Sequence, residues 1–143
     1  MVGVLLVTHG NFAEGILDGI SLIFGEQEDV SFVSLRMEDD VEEFGNKVYE
    51  KALEVDEGDG TLILVDFLGG SPGNVTCPII LKEKNMECVT GLNFPMLLDV
   101  FDQRYVLGLQ ELKERCLMFG KDGIIDLRKK LEASMASDDE DDD

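Results

Sequence analysis

Apolar positions along the chain alternate between two periods. Val2–Thr8 reads VGVLLVT, a short run rich in branched residues of the kind buried on both faces of a parallel sheet. Asn11–Gly25 then takes up helical spacing, with Phe12, Ile16, Ile20, Ile23 and Phe24 on one side. Asn11 is placed to cap that helix and Gly25 to end it. Val30–Leu35 is a second strand candidate. Val41–Val55 is a second helix with the stripe Val41, Phe44, Val48, Ala52 and Val55, capped by Asp39 or Asp40. Thr61–Phe67 (TLILVDF) is the clearest strand. It leads into Leu68–Asn74 (LGGSPGN), whose Gly and Pro content marks a loop. A helix is predicted from about Asn74 to Lys84, with Pro78 tolerated near its first turn. Met86–Gly91 follows as a fourth strand. Pro95 opens further helix that runs to Phe119 with a break near Gly108. After the Gly120–Gly123 turn, Ile124–Leu127 is expected as a short last strand.

Alternating β and α units predict an α/β fold, a three-layer sandwich around a mainly parallel sheet. The 143 residues favour one domain, assigned to 1–136, followed by an acidic tail, 137–143. Residues Asp138 to Asp143 are all acidic, and like charges in a row bury nothing, so the tail is expected to be disordered. The net charge is −19; without those six acids it is still −13, from 25 acids against 12 bases. Such a surface repels phosphate backbones, which excludes nucleic acid as an expected partner and favours a basic protein surface. No apolar run approaches the roughly 18 residues of a membrane span, and Val2–Val7 is short for a signal peptide and lacks a basic leader. A cytoplasmic protein without direct membrane insertion is expected. Cys77, Cys88 and Cys116 match no zinc spacing, so each is read as a small buried hydrophobe and no metal site is assigned.

Composition leaves the chemistry open; topology narrows it. Ligands of open α/β sheets bind beyond the carboxyl ends of strands where the strand order reverses. In order 2-1-3-4 that point lies between the first and third strands. Thr8-His9-Gly10-Asn11 follows the first strand, and Asp66 with Gly69-Gly70-Ser71-Pro72 follows the third. Neighbouring strands are about 4.8 Å apart, close enough for His9 and Asp66 to meet. A neutral imidazole is nucleophilic. A carboxylate on one ring nitrogen fixes the tautomer and leaves the other lone pair for an incoming phosphorus. Gly69, Gly70 and Ser71 offer backbone N–H groups without bulk, and a hydroxyl, for phosphoryl oxygens. The helix starting near Asn11 points its positive end at the same place. Spacing alone also fits a nucleotide or metal site.

These segments resemble a known family. Val7-Thr8-His9-Gly10 with Ala13-Glu14, Leu64-Val65-Asp66 with Gly69-Gly70-Ser71-Pro72 and Asn74, and Gly91-Leu92-Asn93-Phe94-Pro95-Met96-Leu97 are similar to the enzyme IIA component of the bacterial phosphoenolpyruvate-dependent sugar phosphotransferase system, mannose/fructose/sorbose class. Gly25-Glu26-Gln27-Glu28 resembles the family's loop after its first helix, and the likeness spans about residues 2 to 130. The resemblance implies a four-stranded parallel sheet of order 2-1-3-4 and a homodimer that exchanges a C-terminal strand, for which Ile124–Leu127 is positioned. It implies phosphorylation of His9 by the phosphocarrier protein HPr, and transfer onward to enzyme IIB and, through it, the membrane components IIC and IID. No metal or organic cofactor is implied. Asp66 becomes the partner of His9, and Ser71 a phosphoryl contact. Two related readings stand beside it: a subunit for dihydroxyacetone metabolism, and a histidine-phosphorylated regulatory domain of a transcription activator. Both commonly sit in longer chains, so for a complete gene product of 143 residues the first reading is the expected one.

Overall fold

The computed structural model describes residues 1–141. Strands β1 (Gly3–His9), β2 (Val30–Leu35), β3 (Thr61–Val65) and β4 (Met86–Thr90) alternate with helices α1 (Phe12–Phe24), α2 (Val41–Glu54) and α3 (Ser71–Lys82); α4 (Phe94–Gln103), α5 (Leu109–Asp122) and α6 (Leu127–Asp141) follow. All strand pairs are parallel, as the alternation predicts, and the order is β2-β1-β3-β4, as the family resemblance implies.

Because successive strand residues face opposite ways, β1 serves two cores at once. Val4 and Leu6, with Leu62 and Leu64 of β3, pack under Ala13 and Ile20 of α1, Leu97 and Phe101 of α4, and Leu112 and Cys116 of α5. Leu5 and Val7, with Ile63 and Val65, pack under Phe44, Val48 and Ala52 of α2 and Ile79 of α3. The sheet is thus the middle of three layers, and its central strands carry no solvated face. Burying one such aliphatic side chain contributes about 1.5–3 kcal/mol, so register is held from both sides.

Several local expectations are corrected. Helix α1 turns Ala13, Ile16, Leu17, Ile20 and Phe24 inward and leaves Phe12 and Ile23 exposed. Its start is held by Thr8, whose hydroxyl accepts from the Ala13 N–H at 3.1 Å, and Asn11 makes no side-chain cap. Asp40 caps α2 by accepting from Glu43 N–H at 3.3 Å. Helix α3 begins at Ser71, three residues earlier than expected. Gly70 is extended there, Pro72 presets the first turn, and Asn74 N–H already donates to Gly70 C=O at 3.0 Å. Pro78 therefore lies inside the helix, on its exposed side. Of the cysteines only Cys116 is fully buried; Cys88 is half-buried and Cys77 exposed.

Ile124–Leu127 is not a strand. Residues 124–126 are irregular and Leu127 opens α6, with the Asp126 carboxylate accepting from Lys129 N–H at 3.2 Å as a helix cap does. The strand exchange implied for a dimer would require this segment to leave that conformation. Residues 137–141, whose charge predicts disorder, continue α6; residues 142 and 143 lie outside the described part.

One buried cation ties the amino end of the sheet together. Arg104 is fully buried at the end of α4. Its guanidinium donates to the Val2 and Asp29 carbonyls at 3.3 Å each, to Gln27 Oε1 at 3.2 Å and to the Glu28 carbonyl. The Gly25–Glu28 loop singled out in the sequence is thus held by an arginine at the pole opposite the candidate site.

Candidate functional site

Strand β1 ends at His9, and β3 ends at Val65, one residue before Asp66. Val7 pairs with Val65, so the two chain continuations leave the sheet side by side. The side chains meet as the topology predicts: His9 Nδ1 lies 2.8 Å from Asp66 Oδ2. The same oxygen accepts the His9 backbone N–H at 2.9 Å, and Oδ1 accepts the Phe67 N–H at 3.0 Å. Asp66 is held by three hydrogen bonds and is largely buried, while the imidazole stays 43% exposed. A carboxylate only accepts, so in the neutral ring Nδ1 is the protonated nitrogen and Nε2 the one with the lone pair. Gly10, at φ +53°, turns the chain away from His9, and its N–H donates to Leu35 C=O at 2.9 Å.

The face of the ring bearing Nε2 is bounded by the loop after β3. A Cβ on Gly70 would stand 2.7 Å from His9 Cε1 and 2.9 Å from Nε2, so the loop closes on the imidazole only because residue 70 has no side chain. Gly69, at φ +116°, makes the turn that brings it there. Gly70 is also the N-cap of α3, and Ser71 is its first, half-buried residue. The positive end of α3 therefore starts against the imidazole, a contribution that the sequence pattern assigns to α1 alone. In the sequence Phe67 reads only as a strand terminus. Its ring lies 5.3 Å from the imidazole centroid at a 35° tilt and is half-exposed, forming one wall of the site. The available signal is an aromatic side chain directly after the strand-end aspartate. Among the described residues no three His, Cys, Asp or Glu side chains gather as a metal would require, and no helix is long and apolar enough to cross a membrane.

The parallel α/β sandwich thus places an exposed, oriented imidazole at its switch point, beside a glycine loop and a helix start. The family model described as "PTS system fructose IIA component" matches residues 3–117, and the chain belongs to this EIIA-man family of sugar phosphotransferase-system IIA components. It is 29% identical over 112 residues to the fructose-specific EIIA component of Bacillus subtilis (strain 168), covering 78% of this chain and 77% of that one. It is 29% identical over 130 residues to the mannose-specific EIIAB component of Escherichia coli (strain K12), covering 90% of this chain but only 40% of that longer protein. In structure it is similar to the phosphotransferase system component EIIA from Streptococcus agalactiae. The TM-score there is 0.83 at 26% identity, over 90% of this chain and 99% of that one.

Proposed function

We propose that His9 is the phosphoryl carrier of this IIA component, taking the group from HPr in the cytoplasm and passing it to an enzyme IIB that serves sugar uptake through IIC and IID. The observation that carries this reading is the 2.8 Å contact between Nδ1 and Asp66, with the opposite nitrogen turned to the Gly69-Gly70-Ser71 loop. In the accepting step the Nε2 lone pair forms a bond to phosphorus as the donor's phosphorus–nitrogen bond breaks. The Nδ1 proton stays in its hydrogen bond, and Asp66 offsets the positive charge that the ring gains. The loop N–H groups, the Ser71 hydroxyl and the start of α3 receive the phosphoryl oxygens. Positioning and charge support are what phosphoryl transfer needs most. Onward transfer is the same step in reverse, with the acceptor's nitrogen as nucleophile. The acidic surface suits basic faces on both exchange partners. The working unit in this proposal is a homodimer.

The test is labelling by phosphoenolpyruvate, enzyme I and HPr, quenched in base, where phosphohistidine survives. The wild-type chain should gain label and His9→Ala none. Label retained by His9→Ala would refute the assignment.

A further inference from the structure

Strand β2 ends the sheet. It is bonded to β1 on one side, and among the described residues no strand lies beyond it. The Asp29 and Leu35 carbonyls accept from the Val4 and Gly10 N–H groups at 3.0 and 2.9 Å. By the two-residue period of a strand, Val30, Phe32 and Ser34 turn their backbone N–H and C=O groups away from β1. The next outward N–H, that of Arg36, is taken by Asp39 Oδ2 at 2.7 Å, which closes the edge. Edge strands are commonly blunted by a charge, a proline or a bulge. The sequence VSFVSL carries no charge and no proline, and its register with β1 runs unbroken from Val30 to Leu35. The opposite edge, β4, differs: its Glu87 is held by Gln110 at 2.7 Å and Lys113 at 3.1 Å, both from α5.

A cleft flanks the β2 edge on each face of the sheet. On the α1 face, a cleft of about 570 Å³ is lined by Leu17, Phe32 and Phe101, with Glu14, Asp18 and Glu26 around them. On the α2 face, a smaller one of about 170 Å³ is lined by Val33 and Phe44, with Asp39, Asp40 and Glu43. All six acids are exposed. The bases beside them are Lys47 and Arg36, and Arg36 is already paired with Glu14 at 3.2 Å. A chain approaching this edge therefore meets negative charge on both sides.

We propose that the β2 edge is a docking site for an extended basic segment of a partner protein, bound by strand addition with Lys or Arg at alternate positions in the α1-side cleft. An added strand would pair with the outward groups of Phe32 and Ser34 and send alternate side chains to the two clefts. The stem of a Lys or Arg would lie over Phe32 and Phe101 while its head meets the carboxylates of Asp18 and Glu26. A second copy of this chain does not fit, because pairing two β2 edges would set acids against acids. The inference stands on β2 and its two clefts and does not depend on the phosphoryl-transfer reading.

The probe is a panel of extended peptides of about eight residues, with Lys or Arg at every second position and Val, Thr, Ile or Phe between. They are titrated into the 15N-labelled full-length chain. The Phe32 and Ser34 amide resonances should shift, and their hydrogen exchange should slow. Asp18→Lys/Glu26→Lys should weaken binding roughly tenfold or more. Both side chains are exposed, so the fold should persist, which circular dichroism checks. Peptides N-methylated on the backbone groups that would face β2 should not bind the wild-type chain. The proposal is overturned if no peptide of the panel binds at millimolar concentration, or if the shifts map away from β2. It is equally overturned if the double variant binds as the wild type does, or if N-methylated peptides bind as well as the unmodified ones, which would reduce the effect to charge alone.

Discussion

Replacing Gly70 with alanine isolates what the loop does for the imidazole. Gly70 has φ −105° and ψ 175°, an extended conformation that alanine adopts without strain, so the backbone tolerates the change. The new methyl would stand 2.7 Å from His9 Cε1, 2.9 Å from Nε2 and 3.1 Å from the Phe67 ring, where ordinary contact begins at 3.4 Å. The imidazole must retreat by several tenths of an ångström, and its Nδ1 contact with Asp66 resists that movement. Displacements approaching 1 Å in an oriented site cost on the order of 10²-fold in rate, or about 2.7 kcal/mol of barrier. Stability should stay within about 1 kcal/mol of wild type, because glycine-to-alanine changes at compatible positions act mainly on the unfolded chain. The control is Gly15→Ala on the open face of α1, where no atom lies within 4 Å of the new Cβ. It should stabilise by roughly 0.5–1 kcal/mol and leave transfer unchanged. Single-turnover phosphorylation by phospho-HPr measures the rates, and urea unfolding measures stability. A Gly70→Ala protein that is phosphorylated at the wild-type rate would show that the loop does not position the nucleophile.

Asp66→Asn removes the charge that supports the imidazolium and offers a donor to Nδ1. Phosphorylation should slow roughly ten- to several-hundredfold with the fold retained, and an unchanged rate in single-turnover kinetics would remove Asp66 from the site. Arg104→Met should lower unfolding free energy by about 3 kcal/mol or more, because several carbonyls around Val2 and the Gln27–Asp29 loop lose a buried donor. Urea denaturation checks this, and transfer at His9, at the other pole of the sheet, should persist in the folded fraction. Burial pushes the Cys88 and Cys116 thiols up to about 12, whereas Cys77 is exposed. A thiol reagent at pH 8 should therefore modify Cys77 alone in the native chain, and Cys77→Ser should abolish fast labelling.

The parts of this fold legible in the sequence are those set by periodicity and topology. Strands buried on both faces read as unbroken apolar runs, and the switch-point rule brings His9 and Asp66 together before any coordinates. What escapes such a reading depends on contacts through space. Gly70 reads as one of several turn glycines until its Cβ position is found to fall on the imidazole. Phe67 reads as the end of a strand, because nothing local says that β3 stops at Val65 and frees its ring to stand beside His9. The early start of α3 is hidden by Gly and Pro, which mark loops in general but here form a cap and a first turn. At the other end, Ile124-Ile125-Asp126-Leu127 has the composition of a strand. Asp126 acts instead as a cap, and the residues from Leu127 to Asp141 continue as helix.

The central claim is that Nε2 of His9, and not Nδ1, bears the phosphoryl group while Nδ1 stays protonated against Asp66. Nitrogen-15 and phosphorus-31 NMR of the uniformly 15N-labelled, phosphorylated chain observes both nitrogens directly. A phosphorus coupling to Nε2, with a protected Nδ1 proton that disappears in Asp66→Asn, is the predicted result. A phosphorus coupling to Nδ1, or label on any residue other than His9, would contradict it.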